Sequence, residues 1–355
     1  MTSSLGGERL AALRAAKLAA LARRLGDPAD LSRLEGASAL AYPNGAGLVS
    51  GGDGWLLEEA LGARSAGRIV LWALRHRVDR LRVIVGGTDS DVADDTEVER
   101  SLVADVARRL GWFDLDVDVR RLVGTESEPV APATLSSVDT GSRVADAEVT
   151  RYGPLFDAAG VELVVEGDEV RGEVYGLEVA RVVDGALEVG VGRFDREITS
   201  MLYADLPPEA ALTRAADIVR QHRYPGAPPH PMMNMGHERW LRRQIVADPT
   251  LIGCSSARPI PTTVPPPNLR DPQPAAALAE GPSGDVAVTV VCGAGLDVDL
   301  LPVAADAAAA NARSGLVVVV AEGELLAPLR SMADHLRVPA RWVELPAPWA
   351  PRPAA

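Results

Sequence analysis

No apolar run in the chain exceeds six residues, the length of the run at 316–321. That is far short of the roughly 18 residues of a membrane span. Its length and its valine content are those of a strand buried on both faces. Strand-like segments at 286–292 and 341–345 flank it, and helical patterns at about 300–312 and 325–336 lie between. Strand, helix, strand, helix, strand in that order predicts a half-Rossmann-like βαβαβ unit on a parallel sheet.

The same reading extends toward the N-terminus. Residues 6–25 predict a helix with Leu10, Leu13, Leu18, Leu21 and Leu25 on one face, suited to docking or to an oligomer contact, with an anionic-surface anchor as the alternative. The glycine-rich stretch 41–54 matches no dinucleotide fingerprint and reads as a mobile loop. A helix at 66–77, a strand at 80–85, a helix at 96–110 and a strand at 115–123 predict an α/β unit with parallel strands. Residues 124–142, rich in Ser, Thr, Pro and Gly, read as a linker or long loop.

A helix near 144–158 opens the middle region. Strands follow at 162–166, 169–183 and 187–194, joined by Gly-Asp and Asp-Gly turns. Then come helices at 208–222, behind Pro207-Pro208, and at 235–247, with Asn234 as its N-cap. Seven prolines between 258 and 275 predict a semi-rigid extended linker. The expected organisation is an N-terminal helical segment (1–35), an α/β unit (36–135), a middle α/β module (140–255), the linker (256–282) and the C-terminal βαβαβ unit (283–350). The fold class is α/β, and the two outer units could share one sheet.

Composition removes several functions. The net charge of −13 disfavours nucleic acid as a bulk partner, because phosphate neutralisation calls for a basic surface. Of 36 basic residues all but Lys17 are arginine, the bias of a high-GC genome along with abundant Ala, Gly and Pro. A Schiff-base or P-loop lysine could only be Lys17, which has no glycine-rich loop around it. Pyridoxal-phosphate enzymes, P-loop NTPases and protein kinases are therefore disfavoured. No G-x-S-x-G elbow is present. Cys254 and Cys292 form no CxxC pair and read as small buried hydrophobes. With no cleavable leader pattern, the expected location is the cytoplasm.

One motif string carries a family resemblance. Tyr152, Gly160-Val161, Gly172-Glu173-Val174-Tyr175, Asp184-Gly185 and Leu187-Glu188-Val189-Gly190-Val191-Gly192-Arg193 follow one another in the middle module. The string resembles the core of the PD-(D/E)XK, restriction-endonuclease-like nucleases, nearest their YraN-like branch, over about 50 of 355 residues. The resemblance implies a nuclease-like fold. The family's metal-binding Asp falls on Tyr175, its Glu on Val191 and its Lys on Arg193, so its catalytic set is not retained. Glu173, Glu178 and Glu188, with Arg193, could form a displaced set around Mg²⁺, the one ion a phosphodiesterase reading needs. Otherwise these glutamates are solvated strand positions.

Three further clusters are candidates. Asp89, Asp91 and Asp94 follow strand 80–85, where ligands bind in open α/β sheets, and could hold a divalent metal. The alternative is a solvated loop with Asp95 capping the next helix. Gly293-Ala294-Gly295 with Asp297 could receive a nucleotide-like ligand, or simply form a tight strand-to-helix turn. His222, His230 and His237, with Met232, Met233 and Met235, offer soft-metal ligands on a proline-broken spacing. His237, Glu238 and Arg239 could instead open a polar site at a helix N-terminus.

The leading expectation is a non-catalytic binding or interaction module on a degenerate nuclease-like fold, with no cofactor. Its partner would be a protein, a nucleotide-like ligand or a nucleic-acid end. The alternatives are a Mg²⁺-dependent nuclease or phosphodiesterase, and a nucleotide or small-ligand sensor built on the C-terminal unit.

Overall fold

The structure, a computed structural model, describes residues 2–25, 39–86, 97–124, 126–135, 143–191, 206–264, 271–284, 287–311 and 315–350. It is of the α/β class. The chain forms two compact units. One comprises Met1–Thr134 and Ala327–Val338, the other Leu135–Leu326 and Pro339–Ala355. Among the described residues no helix is long and apolar enough to cross a membrane.

In the first unit, helix α1 (Thr2–Leu25) precedes strands β1 (Ala39–Tyr42), β2 (Gly45–Ser50) and β3 (Asp53–Glu58). Helix α2 (Ala66–Arg75), β4 (Arg80–Val85), α3 (Glu97–Leu110), β5 (Asp116–Val123) and β6 (Glu126–Pro129) follow. The six strands form one sheet in sequence order. Strands β3, β4 and β5 are parallel, as the alternation of helix and strand predicts, and the outer pairs are antiparallel. Leu18, Leu21 and Ala22 of α1 pack on Leu48, Trp55, Leu57 and Ile84, while Leu10 and Leu13 stay exposed.

The glycine-rich stretch is not a loop but the β1–β2–β3 meander. Its glycines serve close packing: a Cβ on Gly47 would sit 2.4 Å from the Trp72 ring, and one on Gly45 1.8 Å from the Leu57 carbonyl oxygen. Likewise β6 lies inside the stretch read as a linker or long loop. A further helix, Ala327–Ala333, belongs to this unit and packs on α2.

The second unit holds two sheets. Helix α4 (Arg143–Ala158) leads into β7 (Glu162–Glu166), β8 (Glu169–Val174), β9 (Leu177–Val183) and β10 (Ala186–Val189), an antiparallel meander. The single strand expected over 169–183 turns back at Tyr175-Gly176, both with positive φ (49° and 73°). The expected Asp184-Gly185 hairpin turn is present, again with positive φ at both residues. One sheet face is apolar, and it packs through Val170, Val174, Leu177 and Ala180 on Phe156 of α4 and on Leu212, Ala216 and Val219 of α5 (Pro208–His222).

Helix α6 (His237–Ala247) begins after Gly236 in a left-handed conformation; Asn234, expected as the cap, ends a short 3-10 turn instead. The second sheet comprises β11 (Ser256–Ile260), β12 (Ala275–Glu280), β13 (Ala287–Cys292), β14 (Gly315–Ala321) and β15 (Ala340–Leu345) in that order. Strands β13, β14 and β15 are parallel, and α7 (Leu300–Ala310) packs on β13 and β14. Valines of both parities in β14 are buried, as the continuous apolar run predicts.

Three expectations change here. The stretch 256–282 is not only a linker: it supplies β11 and β12, which extend the parallel sheet antiparallel. Proline is compatible with this because Pro259 sits on the edge strand β11. Residues 140–255 and 283–326, expected in separate modules, lie in one unit. The outer α/β regions do not share a sheet, since β1–β6 and β11–β15 are separate.

Candidate functional site

The second face of the β7–β10 meander is charged. Residues directly opposite one another share a face. Glu162 pairs with Glu173, Val164 with Arg171 and Glu166 with Glu169 across β7 and β8. Glu173 pairs with Glu178, and Arg171 with Arg181, across β8 and β9. A register shift at Gly172/Glu173 places one extra residue on β9. That bulge lets Glu178 and Arg181, three apart, emerge on the same side. Glu188 of β10 pairs with Arg181 and joins this face at its exposed edge.

Like charges directly opposite one another repel. Helix α6 resolves this from the other side. Leu241 and Ile245 bury its apolar face among Val290, Cys292, Val317 and Val319 of the second sheet. Arg239, Arg242 and Arg243, at i, i+3 and i+4, share the opposite face and meet the glutamates. Arg242 Nη2 donates to Glu173 Oε1 and Oε2 at 3.1 and 3.2 Å, while Nη1 pairs with Glu166. Arg243 pairs with Glu162. Arg239 Nη1 stands 3.6 Å from both Glu173 Oε1 and Glu178 Oε2. Arg181 holds Glu178 with two hydrogen bonds of 3.1 and 3.0 Å. Arg171 reaches Glu166 at 2.8 Å and also pairs with Glu169.

The segment leading into α6 is pinned by a second buried guanidinium. Arg223 donates to the carbonyls of Tyr175, Met232, Met235 and Gly236 and stacks over Trp240. Burial pulls it down to about 9, against the charges of Glu173 and Glu238.

This environment fixes the ionisation of the acids. Burial alone would raise the Glu166 carboxyl, but Arg242, Arg171 and Arg239 outweigh it and hold it at about 2. For Glu178, burial is again outweighed, by hydrogen bonds from Arg181 and the charges of Arg181, Arg171 and Arg239, so it too lies below the usual carboxylate range. Burial opposes the Arg242 charge, yet Glu166 and Glu173 raise its guanidinium above its ordinary value. A general acid or base works best near the operating pH, and Glu166 and Glu178 are displaced away from it.

The structure therefore brings Glu173 and Glu178 together, each 1% exposed, and leaves Glu188 at the surface. The two buried acids are not solvated strand positions; their oxygens face guanidiniums, which repel a divalent cation. Among the described residues no group of three or more His, Cys, Asp or Glu side chains is arranged to hold a metal ion. Arg193, Asp89, Asp91 and Asp94 lie outside the described residues. His222 and His230 stack on each other at 4.0 Å, and His230 Nδ1 accepts from the Met232 amide. His237 stacks on Trp349 at 3.9 Å, and its Nε2 lies 2.6 Å from the Met233 carbonyl. Both thiols are buried, and burial pushes the Cys292 thiol up to about 12.

The turn after β13 is filled by the chain itself. The Gly295 amide donates to Glu324 Oε2 at 2.7 Å, where a phosphate would have to bind. Asp297 and Asp299, both buried, take the N-terminus of α7, and Asp297 Oδ1 accepts from the Asp299 amide. Gly293 is required by Leu300, whose Cδ2 would lie 2.5 Å from a Cβ there.

Sequence reasoning missed Arg171, Arg242 and Glu166, and it named Arg239 only with His237 and Glu238 at a helix N-terminus, not as a partner of the strand glutamates. The available signal was Arg239, Arg242 and Arg243 on one helical face, together with acids at alternate positions of two successive strands. Beside the charged face lies a cleft of about 200 Å³, lined in part by Glu166, Glu169, Arg171, Arg239 and Arg242. In comparisons with known proteins, the chain matches no family model and no curated protein.

Proposed function

We propose that the protein acts by binding, in the cytoplasm, as a non-catalytic interaction module built on a degenerate nuclease-like fold. The observation that carries this reading is the pairing of Glu173 and Glu178 with Arg181, Arg239 and Arg242. A nuclease of the kind the motif string resembles needs such acids open to a metal ion. Here they neutralise the arginines between two sheets. Phosphate at the Gly293–Gly295 turn is disfavoured by Glu324, Asp297 and Asp299, which turns attention from a nucleotide toward the cleft beside the charged face.

The test is incubation of the purified chain with single- and double-stranded DNA and RNA in Mg²⁺ or Mn²⁺. No cleavage above background is expected. Metal-stimulated cleavage that disappears in Glu188→Ala, a surface change the fold tolerates, would overturn the reading in favour of a phosphodiesterase.

A further inference from the structure

We propose that the cleft between the charged face of the β7–β10 meander and the start of β12 binds a small carboxylate with an apolar body. This rests on the binding reading above and names the ligand class.

The first argument is chemical. Arg171, Arg239 and Arg242 form one wall of the cleft. Guanidinium presents paired N–H donors in the geometry that a carboxylate matches. Two of these donors, Arg239 Nη1 and Arg171 Nε, are buried and have no hydrogen-bond acceptor among the described residues. Glu173 and Glu178 stand 3.6 Å from the former, and Glu178 3.7 Å from the latter, beyond hydrogen-bond length. Buried donors in native proteins are almost always satisfied. Because both nitrogens are buried, an acceptor in the cleft completes them only when the wall shifts to admit it.

The second argument is shape. Ile260, Val264, Pro274 and Ala275 contribute apolar wall to the same cleft. A ligand that fills it carries charge at one end and hydrocarbon at the other. About 200 Å³ is below the roughly 300 Å³ at which drug-sized pockets begin. The cleft thus takes in a small acid or the carboxyl-terminal residue of a peptide.

The third argument concerns charge. The lining carries three guanidiniums and two carboxylates. Glu169 is the exposed member, with about half its side chain in solvent, and it shares Arg171 with Glu166. An incoming carboxylate competes with Glu169 for Arg171. Removing the Glu169 charge should therefore tighten binding, whereas removing the Arg239 charge should weaken it. A merely structural role for these residues predicts no such opposition in sign.

The experiment is calorimetric titration of the full chain with propionate and benzoate, against chloride at matched ionic strength. Inorganic phosphate and sulfate serve as other anions, and a short peptide is compared with its C-terminally amidated form. Binding of the carboxylates, tightened about fivefold in Glu169→Gln and weakened about tenfold in Arg239→Gln, is the expected result. Should Arg239→Gln not fold by circular dichroism, the Glu169→Gln comparison decides alone. Binding of the acids alone identifies a free metabolite as the source. Binding of the peptide but not its amide identifies a chain terminus.

No carboxylate binding in either wild type or Glu169→Gln overturns the proposal. So does unchanged binding in a folded Arg239→Gln, or phosphate and sulfate binding as tightly as the acids. These results remove the ligand class and leave the binding reading intact; metal-dependent cleavage would remove that reading itself.

Discussion

Glu178 illustrates how one buried side chain holds three others. It accepts two hydrogen bonds from Arg181 and lies within 3.7 Å of Arg171 and 3.6 Å of Arg239. Glu178→Gln leaves these guanidiniums partly uncompensated in a buried setting. The cost of breaking such a pair is about 3–5 kcal/mol. Glu188 pairs opposite Arg181 at the exposed edge of the same face. Glu188→Gln should therefore cost under about 1 kcal/mol, as exposed pairs do. Urea unfolding of the two variants side by side measures the contrast. Equal midpoints would mean that the buried network contributes no stability.

At the level of elements, the hairpin between β8 and β9 depends on one glycine. Gly176 has φ +73°, and a Cβ there would lie 2.5 Å from the Trp240 backbone nitrogen. Because the obstacle is backbone, Gly176→Ala must displace α6 from the meander. Gly253 has nearly the same φ, +74°, but nothing within 4 Å. Gly253→Ala should cost only the left-handed conformation itself, about 1–2 kcal/mol. Thermal melts should show a much larger loss for Gly176→Ala, and comparable losses would remove the close approach as its cause.

That turn also marks where the sequence could be read and where it could not. Strand 80–85, strand 162–166 and helix 208–222 were legible because periodicity and flanking breakers act locally. Tyr175-Gly176 lacks the Asp-Gly signature that exposed the turn at 184–185, so β8 and β9 read as one strand. Pro259 and its neighbours read as a linker because an edge strand tolerates proline, and only the sheet reveals which strand is the edge. Glu173 and Glu178 were picked out as acids on neighbouring strands, but Arg239 and Arg242, which bridge them, come from α6, some 60–70 residues away. No local pattern specifies which distant helix face will meet a charged sheet.

For the molecule as a whole, the lowered carboxylates set a pH response. Glu166 titrates at about 2 in the folded state against an ordinary value of 4.5, and Glu178 is shifted in the same direction. Carboxylates depressed in this way stabilise the fold above about pH 4.5, and their contribution is lost as pH falls toward 2. The melting temperature should be nearly level above pH 5 and fall steeply between about pH 4.5 and 2. Glu166→Gln should flatten that slope. A variant curve parallel to wild type would show that another group governs acid unfolding.

The segment Ala327–Val338 completes the first unit, although Leu135–Leu326 intervenes. Leu329 and Met332 are buried there, Phe113 bridges to Leu336, and the Asp114 amide donates to the His335 carbonyl at 2.7 Å. A nascent chain emerges at about 5–20 residues per second. The closing helix thus follows Thr134 by about 200 residues, an interval of about 10–40 s. During that time the surface of α2 that receives it stays bare on the ribosome while nearly all of the second unit is made. The unit synthesised first is finished after most of the unit synthesised second, and that interval is when a chaperone has reason to hold the newborn chain.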